Sequence, residues 1–362
     1  MGGQQGRKGS SALWAGMLAG AVLAACVADG GAPSGAGSGL PPESPAHARE
    51  SRGPAPGTGA PAARATADDP AQFAEFPGPG YLTAGTHRRT VNLDGQNRRW
   101  TTIVPGTADG VPAAGVVVVL HGVGGRGTDM RATVGLEPLA ASAGVVLVFP
   151  DAFGGAWNDG RPGADPAVAG TSVDDVRFLR LLIDETVERT GTASDRVALV
   201  GFSAGAIMAS RFGCDVADRV GAMALIAGSA GQGFQQSCRP ARPVATLMVA
   251  GSADGTVPYG GGRVSDWGTK KRGFVAAVDD VFAFWSAQGG CAVVAPPAPA
   301  TAAPVTVTRT ADCKARTTVV RYRVNGGGHE WFRAPRFDTT ATVWDFVSGR
   351  FAAATSPMAP AD

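Results

Sequence analysis

Val197-Ala198-Leu199-Val200-Gly201-Phe202-Ser203-Ala204-Gly205-Ala206-Ile207-Met208 decides how this chain folds. The apolar run Val197 to Val200 predicts a short strand, and the residues from Ala204 onward predict a helix. Gly201-Phe202-Ser203-Ala204-Gly205 is then a sharp turn with a serine at its apex. A Cβ two residues before or after Ser203 would press on the neighbouring strand or helix. Glycine at both positions lets the Ser203 hydroxyl stand free above the sheet. The Ala204 N–H lies at a helix N-terminus, which favours negative charge. It faces the place where an acyl oxyanion would form. GxSxG alone occurs in many proteins without a nucleophile; a strand before it and a helix after it are what make it a candidate.

Alternating elements continue on both sides of this turn. Residues 89–92 and 98–104 predict two strands joined by Asp94-Gly95, a hairpin dipeptide. Residues 116–120 and 144–149 are continuous apolar, β-branched runs, as expected of strands buried on both faces. Residues 222–226, 244–249 and 317–324 predict further strands. Helical spacing marks residues 136–143, 173–188, 274–288 and 341–351. Asp174 and Asp175 fall at a predicted helix start, where the macrodipole favours carboxylates, and read as structural. Strands alternating with helices imply an α/β fold: a mostly parallel central sheet covered by helices on both faces.

The N-terminal quarter has a different character. Arg7 and Lys8 precede a short apolar segment, residues 12–25, too short for a comfortable membrane span of about 20 residues. It ends in Leu23-Ala24-Ala25-Cys26, which resembles a bacterial lipobox, with Cys26 as the lipidated residue. The alternative is an ordinary cleaved signal with a coincidental cysteine. Residues from Cys26 to about Asp69 are rich in Gly, Pro, Ala and Ser, with little to pack, and read as a tether. The expected organisation is a signal at 1–25, a tether at 26–75, a catalytic domain at 76–355 and a tail at 356–362. The expected location is outside the cytoplasm, either lipid-anchored or secreted.

The chain's 362 residues are 44% hydrophobic, enough to bury a large core, and its net charge is only +2. No arginine or lysine stripe is interleaved with aromatics, which argues against a nucleic-acid partner. The expected contact with a membrane is the lipid anchor alone. Besides Cys26 there are four cysteines, Cys214, Cys238, Cys291 and Cys313. An even number in an exported chain suggests two disulfides. Of the three possible connectivities, Cys214–Cys238 and Cys291–Cys313 are favoured, because each pair flanks one candidate loop. A metal site competes for the same cysteines, but no CxxC and no nearby histidine completes one. No cofactor or metal is expected.

A serine hydroxyl needs a base, and the base needs an orienting group. The histidines are His47, His87, His121 and His329. His47 lies in the tether and His87 ahead of the first strand. His121 sits in Leu120-His121-Gly122-Val123-Gly124-Gly125, a Gly-rich turn at a strand end. That turn suits a backbone oxyanion donor, assigned to Val123 and paired with Ala204. A phosphate-cradling loop is the other reading, but the Lys-Ser/Thr ending is absent. His329 follows the last strand in Gly326-Gly327-Gly328-His329, at the end of the sheet where α/β enzymes place reacting groups. Asp254, in Gly251-Ser252-Ala253-Asp254, lies between Ser203 and His329 in chain order, as an orienting acid should. It could also be a plain Asp-Gly turn residue.

These pieces together resemble the secreted esterases that include polyhydroxybutyrate depolymerase-like lipoproteins, feruloyl esterases and acetylxylan esterases, carbohydrate esterase family 1. The matching segments are Val117-Val118-Val119-Leu120-His121-Gly122, Phe149-Pro150-Asp151, Trp157-Asn158-Asp159 and the Gly201 to Gly205 turn. Val173 to Leu179, Gly251 to Asp254 with Val257-Pro258-Tyr259, and the Gly326 to Trp331 stretch match as well. The resemblance spans residues 81–351. It implies an α/β-hydrolase fold with Ser203 as nucleophile, Asp254 as acid and His329 as base, acting on an ester substrate: polyester, oligosaccharide ester or small ester. It departs at Trp331-Phe332-Arg333, where relatives often carry Trp-Pro. Trp157 and Trp331 are candidate substrate contacts, able to stack on a sugar or aromatic acyl group, with core packing as the alternative. A non-catalytic binding lipoprotein and a serine peptidase of the same fold are the competing functions.

Overall fold

The computed structural model describes residues 74–75, 81–106, 112–166, 173–266, 268–294, 303–314 and 317–355. The expected signal, nearly all of the tether with Cys26 and His47, and the tail lie outside the described residues. The tether boundary needs correction at its end: residues 74–75 form a strand that pairs with the hairpin.

The strands are β1 (Ala74–Glu75), β2 (Gly85–Leu93), β3 (Gln96–Val104), β4 (Gly115–Leu120), β5 (Val145–Pro150), β6 (Val197–Phe202) and β7 (Ala222–Ile226). They continue with β8 (Ala245–Gly251), β9 (Gly262–Arg263), β10 (Phe274–Val275), β11 (Ala292–Val294), β12 (Val305–Ala311) and β13 (Val319–Val324). The helices are α1 (Gly127–Val134), α2 (Glu137–Ser142), α3 (Asp175–Thr190), α4 (Ala204–Asp215), α5 (Phe234–Ser237), α6 (Val278–Gln288) and α7 (Thr339–Thr355).

Among the described residues, the main sheet runs β1-β2-β3-β5-β4-β6-β7-β8-β13-β12-β11. From β5 to β13 neighbouring strands are parallel. Antiparallel pairs flank this centre, β2–β3–β5 on one side and β11–β12–β13 on the other. The expected mostly parallel α/β sheet is present.

The valine runs explain the layers. Side chains alternate between faces along a strand. Val116, Val118 and Leu120 of β4 therefore join one core, with Phe178, Leu182 and Ile183 of α3, Phe212 of α4 and Trp285 of α6. Val117 and Val119 join the other, with Met130 and Val134 of α1 and Val343, Val347 and Phe351 of α7. Residues on both faces of β4 are fully buried, so its sequence has no polar alternation.

Several expectations shift. Helix α1 was not foreseen; Gly135 (φ 63°) ends it and separates it from α2. The helix expected from residue 274 begins at Val278, because Phe274 and Val275 pair with β9. The Phe274 N–H is also taken by the Pro162 carbonyl at 3.0 Å, and the Ala276 N–H by Ala230 at 2.9 Å. These bonds and the pairing with β9 hold residues 274–276 extended. The span between Cys291 and Cys313, expected to have little to pack, contains β11 and β12. His87 is not ahead of the first strand but inside β2, buried and bonded to the Thr83 carbonyl at 2.8 Å. Among the described residues no helix is long and apolar enough to cross a membrane.

Candidate active site

Ser203 has φ 56°, a left-handed value that an L-residue rarely holds, and it sits between β6 and α4. Such strain costs about 1–3 kcal/mol and persists only where neighbours enforce it. Here the Ser203 N–H donates to Ile226 at 2.9 Å, and the Ser203 carbonyl accepts from Ala206 at 3.0 Å. The two flanking glycines are required by contact. A Cβ on Gly201 would lie 2.2 Å from the Gly205 carbonyl oxygen, and one on Gly205 would lie 2.2 Å from the Leu120 oxygen. Both obstacles are backbone and cannot swing aside. We expect Gly205→Ala to cost roughly 2–3 kcal/mol, as for an overpacked core, with α4 pushed off β4. A melting-temperature drop of several degrees together with reduced esterase turnover would be the result; an unchanged melting temperature would show that the contact relaxes.

His329 and Asp254 are brought together by two loops stitched backbone to backbone. His329 follows β13, and Asp254 follows β8, its parallel neighbour. Ala253 N–H donates to the Gly327 carbonyl at 2.9 Å, Ser252 N–H to Val324 at 2.9 Å, and Gly326 N–H to Ser252 Oγ at 2.9 Å. A Cβ on Gly251 would lie 2.3 Å from the Gly327 oxygen, so this approach needs glycine. His329 Nε2 then stands 3.0 Å from Ser203 Oγ, and His329 Nδ1 stands 2.8 Å from Asp254 Oδ2. Asp254 Oδ1 accepts the N–H groups of Thr256 and Val257, both at 2.8 Å. The carboxylate is therefore both the turn residue and the partner of the imidazole, and its side chain is only 2% exposed. The Phe202 ring lies 5.3 Å from the imidazole centroid and closes one side.

The loop carrying Val123 packs directly on the serine: a Cβ on Gly122 would lie 3.2 Å from Ser203 Cβ. Gly124 N–H donates to Gly155 at 2.8 Å, which ties this loop to the turn after β5. His121 anchors it from below. Its Nδ1 lies 2.7 Å from the Gly122 carbonyl, and its Nε2 accepts the Ala152 N–H at 3.0 Å. Those two bonds require the neutral imidazole with its proton on Nδ1. Burial lowers the His121 pKa and so favours that form.

Both tryptophans offered as substrate contacts belong to the core instead. Trp157 is fully buried, and its Nε1 donates to the His121 carbonyl at 2.8 Å. Its indole N–H needs a partner once buried, and the backbone at the end of β4 supplies it. Trp331 is 7% exposed, packs with α1 and α7, and donates to Thr340 Oγ1 at 3.0 Å. Asp175 also does more than answer a helix dipole. Asp174 caps α3 by accepting the Arg177 N–H at 2.9 Å. Asp175 is buried, pairs with the buried Arg98, and accepts the Asn158 N–H at 2.6 Å, which fixes the Trp157-Asn158 segment. Burial raises its pKa, against the attraction of Arg98. Asp159 is likewise buried and pushed up to about 6 by burial, with Arg161 beside it holding it down. The sequence signal for these roles was weak: a single acid or indole in a motif does not show which way it points.

Cys214 is bonded to Cys238, which pins the far end of α4, and Cys291 to Cys313. Among the described residues no cluster of His, Cys, Asp or Glu could hold a metal ion.

The strand order and the sharp strand–turn–helix at Ser203 give the chain an α/β-hydrolase fold. No family model matches it. It is 29% identical over 268 residues to a Nocardia uniformis subsp. tsuyamanensis protein named as an esterase (NocK), covering 68% of this chain and 74% of that one. It is 28% identical over 237 residues to feruloyl esterase B of Piromyces equi, covering 62% of this chain and 41% of that protein. Among solved structures, a ferulic acid esterase from Anaeromyces mucronatus aligns over 79% of this chain and 97% of its own, at 16% identity and a TM-score of 0.48. The chain is thus similar to proteins named as an esterase and a feruloyl esterase.

Proposed function

We propose that the chain is an exported serine esterase that works through an acyl-enzyme. The supporting observation is the relay of Ser203 Oγ, His329 Nε2, His329 Nδ1 and Asp254 Oδ2 at 3.0 and 2.8 Å. His329 takes the Ser203 proton as Oγ attacks the ester carbonyl. The oxyanion is held by the N–H groups of Val123 and Ala204. His329 returns the proton to the departing alcohol. It then activates a water that releases the acid. The substrates this reading favours are esters of polysaccharides, feruloyl or acetyl, with short polyhydroxyalkanoates as the third class. Hydrolysis of a p-nitrophenyl acyl ester without cleavage of a peptide anilide is the expected outcome. The reverse preference would make the chain a peptidase, and absence of both activities with no labelling of Ser203 by a fluorophosphonate would make it a binding protein. A panel of feruloyl, acetyl-xylan and hydroxybutyrate esters then selects the substrate.

The placement outside the cytoplasm is part of the same reading. Cys26 after Leu23-Ala24-Ala25 supplies a lipid attachment, and two disulfides suit an oxidising compartment. Cys26→Ala is expected to move the protein from the detergent phase to the aqueous phase with esterase activity retained. Equal partitioning of the two forms would remove the anchor from the proposal.

A further inference from the structure

The β2–β3 hairpin carries two arginine doublets, Arg88-Arg89 and Arg98-Arg99. Neighbours in a strand point to opposite faces. In this register Arg89 lies opposite Trp100 and Val91 opposite Arg98, while Arg88 lies opposite Thr101 and Thr90 opposite Arg99. One arginine of each doublet therefore faces α3. Each meets a carboxylate there: Arg89 pairs with Glu185 at 3.2 Å, and Arg98 with Asp175. The other two, Arg88 and Arg99, face the opposite way.

On that side a cavity of about 260 Å³ is lined by Arg88, Arg99, Arg126, Thr101, Thr128 and Asp151, over the Trp100 backbone position. Arg99 and Arg126 thus share the cavity with one carboxylate, beside Arg88, which has a partner of its own. Asp151 Oδ1 is already committed to the Gly127 N–H at 2.8 Å. Among the described residues, the Arg99 and Arg126 side chains have no carboxylate partner. The Arg99 and Arg126 guanidinium groups therefore give the cavity positive charge.

Its place gives that charge a use. Asp151 directly follows β5, and Arg126 lies just beyond the Gly-rich turn after β4. Both are at the strand ends where β6 presents Ser203. Arg99 is on β3, three strands from β6 in the order β3-β5-β4-β6, about 14 Å at the usual strand spacing, and Arg126 follows β4, the neighbour of β6. An extended substrate can span both points.

We propose that this cavity binds a carboxylate carried by the substrate, at a group neighbouring the one that bears the scissile ester. The proposal rests on the esterase reading for its role in turnover. A planar guanidinium fork suits a carboxylate, which it holds through two parallel N–H···O bonds.

The test compares the full chain with an Arg99→Gln/Arg126→Gln double variant. Glucuronate is the binding probe, with glucose and sulfate as controls. Two p-nitrophenyl esters, one ending in a free carboxylate and one neutral, report kinetics. Glucuronate should raise the wild-type melting temperature and glucose should not, and the double variant should lose that shift. KM for the carboxylate-bearing ester should rise about tenfold or more in the double variant, the loss of charge-assisted hydrogen bonds. The neutral ester should be hydrolysed unchanged, which also reports intact folding. An unchanged KM for the acidic ester would overturn the proposal. So would stabilisation by sulfate but not glucuronate, which would assign the cavity to tetrahedral anions. Binding to Ser203→Ala protein separates the two readings. If glucuronate binds in an Arg-dependent way but no ester is hydrolysed by wild type, the esterase reading fails and the carboxylate site stands.

Discussion

Ser203→Ala removes ester hydrolysis almost completely, by a factor on the order of 10⁴ or more, and leaves the fold intact. The size follows from the relay. With no Oγ, His329 has no proton to take and no acyl-enzyme can form; the members of such a unit lose their effect together. What remains is the oxyanion pocket, which can still bind a carbonyl but has no nucleophile to offer it. The small effect on stability follows from the same geometry. Ser203 Oγ is bonded to His329 at 3.0 Å, and that imidazole keeps some contact with solvent, so its loss costs about 1 kcal/mol or less. The unusual backbone at Ser203 is held by its N–H and carbonyl bonds to Ile226 and Ala206, which alanine keeps. Initial rates on a p-nitrophenyl ester and a melting curve on the same sample make the check. Activity within tenfold of wild type would move the nucleophile elsewhere.

How far the site could be read without coordinates depended on what kind of constraint each residue obeys. The elbow was legible because its glycines answer backbone collisions, 2.2 Å from Gly201 to Gly205 and from Gly205 to Leu120, and such collisions leave a fixed pattern. The central strands were legible because burial on both faces removes polar alternation, as in Val116 to Leu120. The disulfides followed from the loops that they close. Orientation was harder. Trp157 and Trp331 have the composition of stacking residues, yet both point inward and spend their indole N–H on a carbonyl and a hydroxyl. Helix α1, only eight residues long, had no strong apolar period to announce it. β12 was hidden because Val305, Val307 and their neighbours follow a Pro- and Ala-rich run, and only pairing with β13 gives them a structure. His121 was recognised as something other than the base; its bond to the Gly122 carbonyl is local, but its other partner, the Ala152 N–H, is 31 residues away and leaves no local trace.

Asp254→Asn is the sharper test of the acid, because the substitution conserves shape and changes only which atoms donate. In the native site one carboxylate oxygen faces His329 Nδ1 at 2.8 Å, and the other accepts from Thr256 and Val257 at 2.8 Å each. An asparagine has one acceptor and one donor in those places. If its oxygen stays with Thr256 and Val257, its NH₂ group meets Nδ1. The imidazole must then carry its proton on Nε2, facing Ser203, where it cannot accept another. If the amide turns over, the tautomer is restored, but the NH₂ group meets two backbone N–H groups in a nearly closed pocket. Leaving those donors unpaired costs about 1–3 kcal/mol. The first arrangement stabilises the wrong tautomer and the second strains the loop that positions the acid, so neither orientation gives a working base. A fall in kcat on the order of 10⁴ is expected, with KM for a neutral ester little changed and a melting temperature near wild type if the first arrangement prevails. Because an unprotonated nucleophile needs less help, raising the pH should recover part of the lost rate. A variant that hydrolyses esters at the wild-type rate would remove Asp254 from the relay and make Asp266, four residues beyond Arg263's neighbour Gly262 on the same loop, the next residue to substitute.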